Sequence, residues 1–232
     1  MIKVIGFDLD DTLWALTPII LRAEKRLDKW LQENVPQLKY DVIQMRELRE
    51  ELLLESPELG GQVTELRRRI IARAMLHSSV SEAAIGELST AAMEIFLTAR
   101  NDIEFFEGAL EAISLLSESY VLGALTNGNA DVSRLGLAPY FSFAFSAEQI
   151  GAPKPAPDLF THALAHTDVD PHQMIYVGDD PVLDIDTANG LGLRTIWVNT
   201  KQKDKSGETN PDITIENIKD LPKAVSQIVQ SA

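Results

Sequence analysis

The chain has 232 residues, 45% of them hydrophobic, a formal net charge of -14 and no cysteine. This composition suits a globular core and excludes disulfides, thiol nucleophiles and cysteine-ligated zinc, while the acidity argues against a protein that grips nucleic-acid backbones. No apolar run approaches the roughly 18 residues that span a bilayer, and the opening "MIKVIGFD" reads as a strand rather than a leader, so a cytoplasmic protein without a membrane or nucleic-acid partner is expected.

The first predicted element is a buried strand, "KVIGFD" (3–8), running into three acidic residues, Asp8, Asp10 and Asp11. Residues 16–100 then read as about four helices. Thr17 and Pro18 suit a helix start, and Ile20, Ala23, Leu27, Trp30 and Leu31 recur at helical spacing. Further amphipathic patterns run through Val42, Met45, Leu48 and Leu52, then Val63, Leu66, Ile70 and Ala74, then Ile85, Leu88, Ala92, Ile95 and Phe96. This block holds 12 basic and 13 acidic side chains, against 9 and 22 in the remainder, so the acidity concentrates outside it.

From Asp102 the texture changes to short apolar runs alternating with helical patterns: "YVLGALT" (120–126), "FSFAFS" (141–146), "MIYVGD" (174–179) and "RTIWVN" (194–199). Such alternation predicts a mainly parallel sheet covered by helices on both faces. Only these later strands can pair the first one, so residues 1–15 and 101–232 are expected to form a Rossmann-like three-layer α/β core, with 16–100 an all-helical insertion. The stretch 200–212 reads as a polar loop, and Ile218, Leu221, Val225, Ile228 and Val229 as a packed C-terminal helix.

Parallel sheets place their sites at the carboxyl ends of strands. Those ends carry Asp8 and Asp10, then Thr126, Asn127 and Gly128, then Asp179 and Asp180 with Asp184 following; between them "GAPKPAPD" presents Lys154, with Pro157 suited to begin a helix. In extended backbone Asp8 and Asp10 share a face while Leu9 points to the core. One carboxylate can then act as a nucleophile and the other exchange a proton, although a lone "DLD" reads first as an acidic turn or helix cap. The second acidic turn, "VGDDPVLDIDTA", makes a bound cation the better explanation of so much negative charge. Hard oxygen donors without paired His or Cys favour magnesium. Lys154 suits neutralising these carboxylates and holding an anion, and the "LTNGN" turn suits phosphate oxygens. The four histidines, His77, His162, His166 and His172, fall outside these positions.

Taken together, "DLDDT", Thr126 in "LTNGN", Lys154 in "APKPAPDLF" and "GDDPVLD" resemble the four ordered motifs of the haloacid dehalogenase superfamily. The resemblance implies a phosphatase with a helical cap inserted after strand one. It implies Asp8 as nucleophile and Asp10 as proton carrier, with Thr126, Asn127 and Lys154 on the phosphoryl oxygens. It places magnesium among Asp8, the Asp10 backbone carbonyl and Asp179, with Asp184 in support. A dehalogenase of the family resembles the first motif but lacks the second Asp. "FDLDDTLW", "PIILRAEKRL", "LTNGNADVSRLGLAPYF" and "YVGDDPVLDIDTANGLGL" are most similar to the FMN phosphatase group, which also hydrolyses 5-amino-6-(5-phosphoribitylamino)uracil in riboflavin biosynthesis. The expected partner is a small phosphorylated metabolite. The alternatives are a sugar-phosphate phosphatase, a phosphomutase, or a non-catalytic binder of phosphorylated ligands. Arg22, Arg67, Arg68 and Arg69 are expected to be available to an anion, and Trp14, Trp30 or Tyr40 to a flat ring or to packing.

Overall fold

The structure, a computed structural model, describes residues 1–38, 41–202 and 207–231. It divides into two compact units, Met1–Ala15 with Glu104–Ala232, and Leu16–Ile103. Among the described residues no helix is long and apolar enough to cross a membrane.

The first unit is built on six parallel strands: β1 (Val4–Phe7), β2 (Val121–Thr126), β3 (Phe141–Ser146), β4 (Met174–Gly178), β5 (Arg194–Val198) and β6 (Ile213–Ile215). Their spatial order is β3-β2-β1-β4-β5-β6. β1 is apolar and buried throughout, as a strand covered on both faces must be. Its neighbours β2 and β4 hold it in register, with Gly6 opposite Gly123 on one side and Tyr176 on the other. The helices are α5 (Ala109–Ser117), a short α6 (Ala147–Ile150), α7 (Asp158–Thr167), α8 (Thr187–Gly190) and α9 (Leu221–Ser231). On one face Val4, Leu125, Phe143, Met174 and Tyr176 pack with Leu159, Phe160 and Ala163 of α7. The chain moves outward from β1 to β3 and then returns to β4 on the other side of β1. The order therefore reverses at β1 and β4, the place where open sheets bind ligands.

The second unit contains α1 (Leu16–Asn34), α2 (Val42–Glu55), α3 (Val63–His77) and α4 (Glu82–Arg100), with a 3₁₀ turn at Pro57–Gly61. The α1 helix begins one residue before the predicted Thr17. Asp41 caps α2, its side chain accepting from the Ile43 N–H at 2.7 Å. Ala23, Leu27 and Leu31 of α1 share one core with Ile70, Ile71 and Ala74 of α3 and Ala92 and Phe96 of α4; Ile20 and Trp30 pack against its margin. Truncating such a leucine to alanine costs about 2–5 kcal/mol. Tyr40 and the side chain of Val42 lie outside the described residues.

Arg22, Arg67, Arg68 and Arg69, expected to be available to an anion, are already engaged. Arg67 pairs with Glu24 and lies 4.0 Å over the Phe96 ring. Arg22 donates to the Asp102 carbonyl. Arg68 grips Glu65 through two hydrogen bonds of 2.7 Å, and Arg69 adds one of 2.8 Å. The Arg68 fork, opposed by partial burial and reinforced by Arg69, holds the Glu65 carboxyl down from 4.5 to about 2. A depressed carboxyl stabilises the fold above its unfolded value and loses that contribution as pH falls through its folded value. Glu65→Gln is therefore expected to destabilise the protein at pH 7 by about 1 kcal/mol, discounted for solvent screening. The difference from wild type should close as the pH falls from 4.5 toward 2 in thermal unfolding scans; a gap independent of pH would refute the ion-pair account.

Candidate active site

The turn after β1 follows from a few residues. The Asp8 N–H donates to the Val177 carbonyl at 2.8 Å, extending the β1–β4 ladder by one residue. Asp11 then takes a left-handed backbone, φ 61°, which turns the chain so that the Asp11 N–H donates to the Trp14 carbonyl at 2.8 Å. Asp is among the residues that tolerate this conformation, and its carboxylate pairs with Lys201 at 2.9 Å. The turn brings two side chains back on the acidic pair. The Thr12 hydroxyl donates to Asp8 Oδ2 at 3.1 Å, and the Trp14 indole N–H donates to Asp10 Oδ1 at 2.8 Å. Trp14 is fully buried and packs edge-on against Phe105, so it serves Asp10 and the core, not a stacked ligand.

Lys154 enters from the loop before α7. Its backbone N–H donates to the Asn127 side-chain oxygen at 2.8 Å, and the Asn127 amide donates back to the Lys154 carbonyl at 2.9 Å. The Asn127 side chain thus clasps the lysine loop to the end of β2. The Lys154–Pro155 peptide is cis, and Pro157 stands at the N-cap of α7, one residue before the helix. The ammonium donates to Asp184 Oδ1 at 2.7 Å and to Asp8 Oδ1 at 2.8 Å. Lys154, Asp8 and Asp184 are 4%, 7% and 1% exposed, so their charges interact largely without water.

The third strand end builds the rest. After Gly178 the chain forms a π-helical turn, Pro181–Asp186, a feature common at functional sites. Asp180 caps it, Oδ1 accepting from the Val182 and Leu183 N–H groups at 2.9 and 2.8 Å. The turn directs Asp184 back over β4, where Oδ2 accepts from the Asp180 N–H at 3.0 Å. A Cβ on Gly178 would meet the Asp184 carboxylate at 2.4 Å, so only glycine lets the carboxylate lie there. Asp179 receives the Trp197 indole N–H on its backbone carbonyl at 2.9 Å.

One carboxylate oxygen from each of Asp8, Asp179 and Asp184 lies within 4.8 Å of the others. Three hard oxygen donors that close fit a divalent cation. The Asp10 side chain is outside this cluster. Burial pushes the Asp8 carboxyl up to about 8, Lys154 opposing it and Asp184 and Asp10 adding to it. Burial alone would lower the Lys154 ammonium, but Asp184 and Asp8 outweigh it and hold it well above its ordinary value. One lysine thus answers two buried carboxylates, and the excess negative charge is what a bound cation would offset.

The structure therefore brings together Asp8, Lys154, Asp179 and Asp184, with Asp10 and Asn127 adjoining them. Thr126 ends β2 at 4% exposure, its Oγ accepting from the Gly128 N–H at 2.9 Å, which leaves its proton for another acceptor. Beside it opens a cleft of about 500 Å³, lined also by Leu9, Asn129, Asp131, Phe145 and Glu148. Sequence reasoning missed three contributors: Thr12, Trp14 as the partner of Asp10, and Tyr176. The signal for the last was its alternation within β4, which puts it on the face of Gly6 and Asp8.

A sequence model of haloacid dehalogenase-like hydrolases matches residues 2–192. The chain belongs to that family. Over 204 residues it is 31% identical to the 5-amino-6-(5-phospho-D-ribitylamino)uracil phosphatase YigB of Escherichia coli K12, covering 88% of this chain and 86% of that protein. It is 28% identical to a glyceraldehyde 3-phosphate phosphatase of Pyrococcus furiosus, over 84% of this chain and 80% of the relative. A crystal structure of a 2-haloacid dehalogenase from Pseudomonas syringae pv. tomato DC3000 superposes with a TM-score of 0.95 at 38% identity, covering 98% and 99% of the two chains. For this haloacid dehalogenase-like hydrolase the α/β core and the hydrolase class are thereby established.

Proposed function

We propose that the chain is a magnesium-dependent phosphatase that hydrolyses a small phosphomonoester through an aspartyl phosphate on Asp8. The observation that carries this reading is the buried Asp8–Lys154–Asp184 group, with a second carboxylate, Asp10, two residues beyond the nucleophile. Asp8 Oδ attacks phosphorus as the bond to the leaving oxygen breaks, and Asp10 donates a proton to that oxygen. Asp10 then takes a proton from the water that attacks the aspartyl phosphate, which restores Asp8. The Trp14 indole keeps Asp10 in one rotamer for both transfers. Thr126 and Lys154 bind the equatorial oxygens, where fixed donors are worth most. Asn127 acts through the Lys154 peptide. Asp8, Asp179 and Asp184 would hold a divalent cation, which would supply charge neutralisation on the phosphoryl group. The unit Leu16–Ile103 is read as the cap.

The likeness to YigB favours a ribityl phosphate, either 5-amino-6-(5-phosphoribitylamino)uracil or FMN. The second reading, hydrolysis of a 2-haloacid, is favoured by the Pseudomonas syringae structure; Asp10, a proton donor that halide departure does not need, speaks against it. One panel separates them: FMN, the uracil phosphate, glyceraldehyde 3-phosphate, phosphoserine and 2-chloropropionate, with magnesium or with EDTA. Phosphate release from a ribityl phosphate that falls at least a hundredfold in EDTA is expected. Halide release from 2-chloropropionate in EDTA would replace the phosphatase reading, and a preference for glyceraldehyde 3-phosphate would replace the flavin-pathway substrate.

A further inference from the structure

The Lys154 ammonium has four oxygens within reach: Asp184 Oδ1 at 2.7 Å, Asp8 Oδ1 at 2.8 Å, the Tyr176 hydroxyl at 2.9 Å and the Leu125 carbonyl at 3.1 Å. An ammonium has only three protons. The Tyr176 hydroxyl resolves the mismatch, because it lies 3.1 Å from the Leu125 carbonyl, nearer than the 3.3 Å to Asp184 Oδ1, which the ammonium already satisfies. Donating its own proton there satisfies the carbonyl, and its lone pair takes the third ammonium proton.

Tyr176 is held firmly enough to dictate direction. It is fully buried in β4 and packs against the Phe160 ring at 4.7 Å, edge to face. Across the strand pair stands Gly6, where a Cβ would come 3.1 Å from the tyrosine ring and 2.5 Å from Met174. The carbonyl it bonds belongs to Leu125, the residue before Thr126. The phenol therefore ties the lysine to the strand end that presents the hydroxyl.

We propose that Tyr176 is a positioning residue that fixes the direction of the Lys154 ammonium between Asp8 and Asp184 during phosphoryl transfer. The proposal rests on the phosphatase reading above. When Asp8 bonds to phosphorus it loses its charge, and with it much of its hold on the ammonium, while Asp184 continues to pull. Tyr176 and Leu125 keep their hold on the ammonium throughout, so that its N–H groups stay directed at the phosphoryl oxygens. Losing the phenol oxygen misaligns the lysine chiefly in the transition state, where small displacements are costly, and leaves ground-state binding nearly intact.

The test is steady-state phosphate release, on the best substrate of the panel, by wild type, Tyr176→Phe, Lys154→Met and the double variant. Tyr176→Phe should lower kcat about tenfold, equivalent to about 1.4 kcal/mol, with KM changed less than about threefold. In the Lys154→Met background the same substitution should change kcat/KM less than about twofold, because the phenol acts through the lysine. A folded Tyr176→Phe protein with wild-type kcat, or with its loss in KM alone, overturns the proposal, as do equal losses in both backgrounds. If Lys154→Met does not fold, the kcat against KM comparison on the single variant decides. Wild-type protein that releases no phosphate defeats the phosphatase reading and this proposal together, whereas an active wild type beside an unaffected Tyr176→Phe defeats this one alone.

Discussion

Asp8→Asn is expected to lower phosphate release by a factor on the order of 10⁴ or more while leaving the fold as stable as wild type or more so. The amide is nearly isosteric: its oxygen takes the Lys154 ammonium proton and its NH2 donates to the Thr12 hydroxyl, reversing that bond, but it cannot form the aspartyl phosphate. The stability half of the expectation follows from the crowding of charge. Asp8 is pushed up to about 8 by its burial near Asp184 and Asp10, so at neutral pH without a cation its ionisation opposes folding. Lys154 retains Asp184 as counterion in the variant, so nothing is orphaned. Phosphate release and the unfolding midpoint should be measured on one preparation. Turnover within tenfold of wild type would remove Asp8 from the chemistry, and a lower midpoint without magnesium would contradict the crowding argument.

Lys154→Met is the opposite case, with large losses in both activity and stability. The methionine fills the space of the stem but leaves Asp8 and Asp184 facing each other, buried, without their shared counterion. Breaking a buried ion pair from one side costs about 3–5 kcal/mol, a drop on the order of 10 °C in the midpoint for a protein of this size. Phosphate release should fall about 10³-fold with the loss of a fixed cation at the phosphoryl oxygens. Because Lys154 holds the Asp8 carboxyl down against its burial, removing that positive charge raises the affinity of Asp8 for a proton, and the stability deficit should shrink as pH is lowered. Scans across pH in EDTA would show this; a deficit that grows on acidification would mean that the lysine stabilises by some route other than these two carboxylates.

The comparison of sequence and structure divides by length of signal. The five strands from "KVIGFD" to "RTIWVN" and the four helices of residues 16–100 were legible because each repeats its apolar pattern over several residues. β6 was not, because Ile213–Ile215 offers three residues at the end of a polar stretch and forms only by pairing β5. Pro181 signals a helix start, but the sequence does not reveal that the turn is π-helical, which is what returns Asp184 to Lys154. Asp8, Thr126 and Asp179 were legible as strand-end residues, and Lys154 by its place between two prolines in a loop. Thr12 and Tyr176 were not, since one looks like an ordinary turn residue and the other like strand filler. The arginines of the helical unit read as available only because their carboxylate partners, such as Glu24, 43 residues from Arg67, cannot be paired from one sequence.

The central place of β1 bears on how the molecule is made. The strand that carries Asp8 is synthesised before both of its neighbours, since β2 and β4 come from beyond residue 120. Until then Val4–Phe7 is an apolar segment with two unpaired edges, the kind of template that other chains add to. Residues 16–103 draw their core from their own helices and can gather while the strand waits. Chains cut short before Val121 would therefore carry an adhesive strand and no reaction centre, because Lys154, which answers the charge of Asp8, lies beyond that point.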